Sequence, residues 1–78
     1  MPTVLRSGPF RVYFYSQDLQ EPPHVHVDHD DMSAKFWLVP VSLAHNFGFS
    51  PHELRRIQRL LEEQQEKLLE AWNDHLGT

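Results

Sequence analysis

Residues 10–15 have the sequence FRVYFY, in which aromatic and β-branched residues alternate with a period of two. Such an alternation is typical of a β-strand with one buried and one exposed face. It places Phe10, Val12 and Phe14 on one face and Arg11, Tyr13 and Tyr15 on the other. This strand decides the fold class, because the rest of the chain supplies partners for it.

Two further strands are predicted downstream. The chain passes through a polar turn at 16–23 that ends in two prolines, and then reaches HVHV at 24–27. The acidic cluster at 28–31 predicts a tight turn into a third strand at 33–38. Pro40 interrupts the pattern, and 41–44 is a short fourth strand or an irregular edge. The turns suit antiparallel hairpins.

Residues 1–9 contain Pro2, Gly8 and Pro9 and show no periodicity, so we expect a leader into the first strand. They lack the long apolar segment of a signal peptide, and no apolar run approaches the ~18 residues of a membrane span. We therefore expect no contact with a membrane.

A helix is predicted from 51 to about 75. Ser50 suits the N-cap, Pro51 the first helical position, and Glu53 the third position of a capping box. The apolar residues fall on one arc: Leu54, Ile57, Leu60, Leu61, Leu68, Trp72 and Leu76. The predicted fold is α+β, with a three- or four-stranded, mainly antiparallel sheet and one long C-terminal helix on one face.

The composition bounds the function classes. The 78 residues are expected to form a single domain, 1–78, with a core small enough that a homo-oligomer or a protein partner is expected. The absence of cysteine suits the cytoplasm. The net charge of −4 argues against a generic basic nucleic-acid binder but leaves room for a local basic patch.

Strict alternation in each strand sorts the side chains onto two faces. The face predicted to receive the helix collects Phe10, Val12, Phe14, Val25, Val27, Ala34, Phe36 and Leu38. The opposite face collects Arg11, Tyr13, Tyr15, His24, His26, Asp28, Ser33, Lys35 and Trp37. It is rich in aromatic residues for a solvated face, so we expect something to bind it.

Two interpretations of the second face stay open. It is a dimer or partner interface, because Tyr, Trp and Arg are enriched at interfaces. Alternatively it binds RNA or another phosphodiester, with Tyr13, Tyr15 and Trp37 stacking on bases and with Arg11 and Lys35 contacting phosphate.

His24 and His26 are two residues apart on one strand, which predicts imidazoles about 6–7 Å apart on the same face. They could act as an acid–base pair, as in a metal-free nuclease, with Arg11 or Lys35 stabilising the phosphate.

Two other interpretations of this pair remain. In the first, His24, His26 and Asp28, or a further ligand among His29, Asp30 and Asp31, hold a divalent metal. No other cofactor is expected. In the second, the rings bond backbone groups around the two prolines.

Arg55, Arg56 and Arg59 lie near the helix N-terminus, where the macrodipole disfavours cations. They could contact RNA or another anion, or they could form a solvent-facing row of ion pairs. His45, His52 and His75 are assigned no function.

The motifs EPPHVHV at 21–27, AKFWL at 34–38 and FGFSP at 47–51, followed by the helix, span nearly the whole chain. In these the chain resembles the bacterial domain-of-unknown-function family numbered 4160. The resemblance implies no established activity and no catalytic residue. It implies a cytoplasmic two-gene module, because members are often encoded beside a second small domain of unknown function, as toxin–antitoxin pairs are.

Residues and resemblance together give a leading hypothesis: a component of a toxin–antitoxin-like module that acts on a protein partner, on RNA, or on both. If the protein is an enzyme, a nuclease or phosphodiesterase-like activity is expected. The alternative is a non-catalytic metal-binding or interaction module that forms a homo-oligomer.

Overall fold

The computed structural model of the chain describes residues 3–14 and 21–75. Five strands form an antiparallel sheet in which each strand pairs with its neighbours in the chain. The strands are β1 (Thr3–Ser7), β2 (Phe10–Tyr13), β3 (His24–His29), β4 (Met32–Leu38) and β5 (Val41–Phe47).

Short turns join the strands on either side of the 14–23 connection. Gly8 and Asp30 have positive φ angles of 57° and 55°, a conformation that Gly adopts freely and Asp tolerates. The Val39–Pro40 turn between β4 and β5 contains a cis peptide bond. Turns of two residues hold consecutive strands side by side, which gives the sheet its simple order.

The expected number of strands was too low. Residues 3–7 form β1 instead of a leader, because Gly8 and Pro9 make a turn that folds them back onto β2. The segment predicted as 41–44 or as an irregular edge is a strand that continues to Phe47. Gly8 and Pro9 were interpreted as part of an irregular segment before the first strand, whereas they form the turn between β1 and β2.

β5 contains an irregularity that changes the direction of its side chains. Lys35 pairs with His45 whereas the next residue, Phe36, pairs with Leu43, so Ala44 is an extra residue in β5. Such a β-bulge breaks the alternation of faces. His45 and Phe47 consequently share a face with Lys35 and Ser33.

The helix start is confirmed. The Ser50 hydroxyl accepts a hydrogen bond from the Glu53 backbone N–H, and the Glu53 carboxylate accepts from the Ser50 backbone N–H. Before this cap, the Asn46 side chain closes the turn by bonding both the N–H and the carbonyl of Phe49. Together these bonds fix where the chain leaves the sheet.

The single long helix is corrected to two: α1 (Pro51–Glu63) and α2 (Gln65–His75). Gln64 interrupts them with φ −106° and ψ 11°. The reason lies in the next residue, since the Gln65 side-chain amide donates a 2.6 Å hydrogen bond to the Leu38 carbonyl at the end of β4. Gln65 thus attaches the junction between the two helices to the end of β4.

Both helices pack on one face of the sheet, with α1 against β5 and α2 against β4. Every residue predicted for that face is buried. The helices contribute four buried residues to this core: Ile57, Leu61, Leu68 and Trp72. In this two-layer α+β arrangement, the helices do not cover the other face of the sheet.

The cap supplies a testable pH dependence. The hydrogen bond from the Ser50 backbone lowers the pKa of Glu53, against the effect of desolvation, and the Ser50 hydroxyl, His29 and Arg56 lower it further. A carboxyl whose pKa is lower in the folded state stabilises the fold above its ordinary value of 4.5 and loses this effect as the pH falls.

Glu53→Gln should therefore lower the free energy of unfolding at pH 7, and its difference from the wild type should shrink below pH 4.5. Urea denaturation at several pH values measures this. Glu70→Gln, at an exposed position in α2, is the matched control. A Glu53→Gln difference that stays constant between pH 7 and pH 3 would contradict this role.

Candidate functional site

The face of the sheet away from the helices, called here the open face, carries two rows of side chains that run across β2, β3, β4 and β5. Strand pairing sets the first row as Tyr13, His26, Lys35 and His45. The second row is Arg11, Asp28, Ser33 and Phe47. Residues far apart in the chain thus form one continuous surface.

On one side of the open face, three neighbouring side chains contact Tyr13. The Arg11 guanidinium lies 4.7 Å from the centre of its ring, and the His26 imidazole stacks on it at 5.5 Å. The Tyr13 hydroxyl donates a 3.0 Å hydrogen bond to the Asp28 carboxylate. Tyr13 is therefore buried, although it lies on the open face. It orients His26 and is itself hardly accessible to a ligand.

Lys35 is paired with a carboxylate. Its ammonium donates a hydrogen bond to Glu21 and lies 4.7 Å from the centre of the Trp37 ring. The same Glu21 oxygen is 3.7 Å from Nε2 of His24. The Glu21 carboxylate thus compensates the positive charge that was predicted to contact phosphate.

His24 is fully buried, at 0% exposure. Its Nδ1 lies 2.8 Å from the Pro22 carbonyl, and since a carbonyl only accepts hydrogen bonds, Nδ1 must carry the proton. The ring packs against Trp72 of α2 at 5.1 Å and against Trp37 at 5.7 Å. This environment suits a structural histidine that attaches the proline segment to the helical layer.

The two predicted histidines are close but differently placed. Their ring centres are 5.3 Å apart with the planes at 81°. His26 is half-buried and lines a depression on the open face, whereas His24 does not. Of the pair, only His26 is within reach of a ligand in that depression.

The candidate metal ligands do not converge. In the described residues, 3–14 and 21–75, no group of three His, Asp or Glu side chains could hold a metal ion. His24 and Asp28 are four residues apart on one strand, a separation of about 13 Å. His29, at the end of β3, lies instead between Asp30 and Glu53, at 3.4 and 4.0 Å.

The depression lies over β4, where a small side chain, Ser33, is surrounded by larger ones. Its volume is about 260 Å³. Its lining comprises Tyr13, His26, Ser33, Ala34, Lys35, His45 and Phe47. The structure thus brings predicted residues of three strands together with two residues of β5 that received no functional prediction.

His45 and Phe47 were missed because the predicted fourth strand ended at residue 44 and because the bulge at Ala44 shifts the alternation of β5. Without it, the alternation from Ser42, which is opposite Trp37, would have placed Ala44 and Asn46 on the open face. The nearest signal in the sequence was the pair of large rings at 45 and 47, which stack at 6.3 Å. A one-residue bulge has no reliable sequence pattern here.

The arginines of α1 lie apart from the open face. Arg55 and Arg59 border a second depression of about 210 Å³ together with Gln58 and Glu62. Arg56 turns toward the sheet layer, with its guanidinium 5.7 Å from the centre of the Phe10 ring. Tyr15, the remaining predicted binding residue, lies outside the described residues.

The comparisons with known proteins give a family. The model of DUF4160, a domain of unknown function, matches residues 10–73. The chain belongs to the DUF4160 family. Neither the curated proteins nor the solved structures compared with this DUF4160 domain gave a match. In its described part, neither helix is long and apolar enough to cross a membrane.

The structural role of His24 can be tested by stability. His24→Ala removes a buried ring and leaves the Pro22 carbonyl without its donor, so the free energy of unfolding should fall by about 3 kcal/mol. The exposed His52, in the first turn of α1, provides a control, and His52→Ala should change it by less than about 0.5 kcal/mol.

Urea denaturation gives both values, and the ¹⁵N shifts of the imidazole show which nitrogen carries the proton. A His24→Ala variant as stable as the wild type, or a wild-type ring protonated only on Nε2, would count against the role assigned to His24.

Proposed function

We propose that this DUF4160 domain is the protein-binding component of a cytoplasmic, toxin–antitoxin-like two-gene module, and that its open face binds the partner protein. The observation that carries the proposal is Phe47, which is 65% exposed beside the depression on that face. Exposed aromatic side chains next to a recess are the usual anchors of protein interfaces.

The charges of the open face favour a protein over RNA. Lys35 is bonded to Glu21, and the Tyr13 hydroxyl, beneath Arg11, is bonded to Asp28. RNA binding depends on cations that neutralise phosphates and release counterions. Carboxylates lie beside Lys35 and Arg11; Arg6, which pairs with Arg11 from β1, adds a third cation, but the net charge of the chain is −4, which opposes that binding.

The composition of the open face also supports a protein partner. Apart from the buried Tyr13, it is aromatic and polar, with Phe, Trp, Arg and His side chains and a small residue, Ser33, at the recess. Interface centres are enriched in Tyr, Trp and Arg. Since His24 is buried and bonded to Pro22, the proposal gives the His24 and His26 pair no proton-transfer role.

A two-gene module agrees with the gene arrangement that the family resemblance implies, and a cysteine-free chain agrees with the cytoplasm. The natural candidate for the partner is therefore the protein encoded beside this one.

Co-expression of the two genes with a tag on the neighbouring protein tests the proposal. The wild-type domain should co-purify with its neighbour, and Phe47→Ser should weaken the complex about tenfold or more, as expected for an interface anchor. Isothermal titration calorimetry of the separately purified proteins measures the loss.

Leu43→Ser is the matched control. Leu43 lies on the same strand and is 42% exposed, but it points to the helix side because it pairs with Phe36. The proposal fails if the two variants weaken the complex equally or if no complex forms. It also fails if a labelled single-stranded RNA binds the open face more tightly than the neighbouring protein does.

A further inference from the structure

The ionisable side chains that line the depression are of one chemical kind. His26, Lys35 and His45 can all donate N–H hydrogen bonds, and Ser33 adds a hydroxyl. The Tyr13 hydroxyl already donates a hydrogen bond to the Asp28 carboxylate. No Asp or Glu is among the lining residues within the described part of the chain. The lining therefore offers donors, and the nearest carboxylates, Glu21 and Asp28, stand outside it, bonded to Lys35 and Tyr13.

The arrangement of the donors suits a carboxylate. His26 and His45 pair with Lys35 from the two neighbouring strands, so their backbones lie about 10 Å apart with Lys35 between them. A carboxylate that accepts a hydrogen bond on each side spans about 8 Å in all. The two histidines thus flank Lys35 on neighbouring strands, and all three donors line the same recess, where one carboxylate can accept from more than one of them.

Both imidazoles are supported before any ligand arrives. His26 stacks on the buried ring of Tyr13 at 5.5 Å, and His45 stacks on Phe47 at 6.3 Å. Glu21 takes one of the three N–H donors of the Lys35 ammonium and keeps it beside Trp37. A preorganised set of donors loses little conformational entropy on binding.

We propose that the depression is a socket for an Asp or Glu side chain of the partner protein, with an apolar neighbour of that residue packing on Phe47. This inference rests on the proposed function, since it assumes that a protein binds the open face. It adds the chemistry of the segment that is recognised: an acidic residue flanked by apolar ones.

A second copy of this chain fits the socket less well. The self-association that would lie beside the recess pairs two β5 edges, because β5 is the edge strand that lines it. The sequence of β5, VSLAHNF, contains no Asp or Glu. Pairing two such strands would bring no carboxylate from the edges to the recess.

The test uses two blocked tripeptides, acetyl-Leu-Glu-Leu-amide and acetyl-Leu-Gln-Leu-amide, added to the ¹⁵N-labelled full chain. The Glu peptide should shift the amide signals of His26, Ser33 and His45 in a saturable way. The Gln peptide should bind about tenfold more weakly, because hydrogen bonds to a charged acceptor are roughly twice as strong as neutral ones.

Three variants locate the socket. His45→Gln and Ser33→Leu should each weaken binding of the Glu peptide about fivefold or more, the first by changing a donor and the second by filling the recess. His52→Gln, on the exposed first turn of α1, should leave it unchanged. The ¹⁵N spectrum of each variant shows whether it is folded. Because His45 is exposed, His45→Gln is expected to fold and still tests the socket if Ser33→Leu does not fold.

Several outcomes would overturn the socket. They are equal binding of the two peptides, shifts confined to residues outside the depression, tighter binding of a uridine tetranucleotide, and a concentration-dependent dimer that shifts the same signals. If the neighbouring protein binds through Phe47 but the Glu peptide does not bind, the socket fails and the proposed function stands. If the peptide binds and no complex forms, the depression binds a carboxylate, but the proposed function fails and with it the assignment of that carboxylate to the partner protein.

Discussion

The backbone of Leu38 is the junction on which the rest of the structure depends. Its N–H donates a 3.0 Å hydrogen bond to the Pro23 carbonyl, and its carbonyl accepts the bond from the Gln65 side chain. One residue at the end of β4 thereby connects the proline segment before β3, the sheet and the joint between the helices. The Leu38 side chain is fully buried in the core, and the bond from Gln65 is partly buried, which strengthens it relative to a bond in water.

This junction explains the difference between the two histidines. The proline segment that Leu38 attaches begins β3, and its Pro22 carbonyl is the acceptor for His24. His24 thus lies at the start of β3, the central strand, where it packs against Trp72, while His26 remains on the open face beside Tyr13. The two His-Val pairs of residues 24–27 thus differ in their environment: His24 is a structural histidine, and His26 lines the recess.

Much of the fold could be predicted because it rests on local rules. The start of α1 follows from the Ser50, Pro51 and Glu53 pattern, and the core face of the sheet follows from alternation in β2, β3 and β4. The strand β1 was missed because a Gly-Pro turn can either end a chain segment or reverse it, and only pairing with β2 decides between them. The break at Gln64 depends on a contact with Leu38, 27 residues away in the sequence, which helical periodicity does not contain.

The candidate site could be predicted only in part, for similar reasons. Alternation correctly brought Arg11, Tyr13, His26 and Lys35 to one face, since these strands are regular. It could not show that Glu21 reaches Lys35 or that Asp28 accepts from Tyr13, because both contacts join side chains whose partners are set by pairing and turn geometry. His45 and Phe47 reach the face through one extra residue in β5.

The order of the strands has a consequence for how the protein folds. Because each strand pairs with its neighbour in the chain, the sheet closes mainly short loops, and such local contacts are associated with fast folding. The hairpins β3–β4 and β4–β5 alone contain most of the recess, so its shape is set by neighbouring segments before the C-terminal helices need to dock. In a newly synthesised chain, the strands that line most of the recess thus emerge before the C-terminal helices that cover the core.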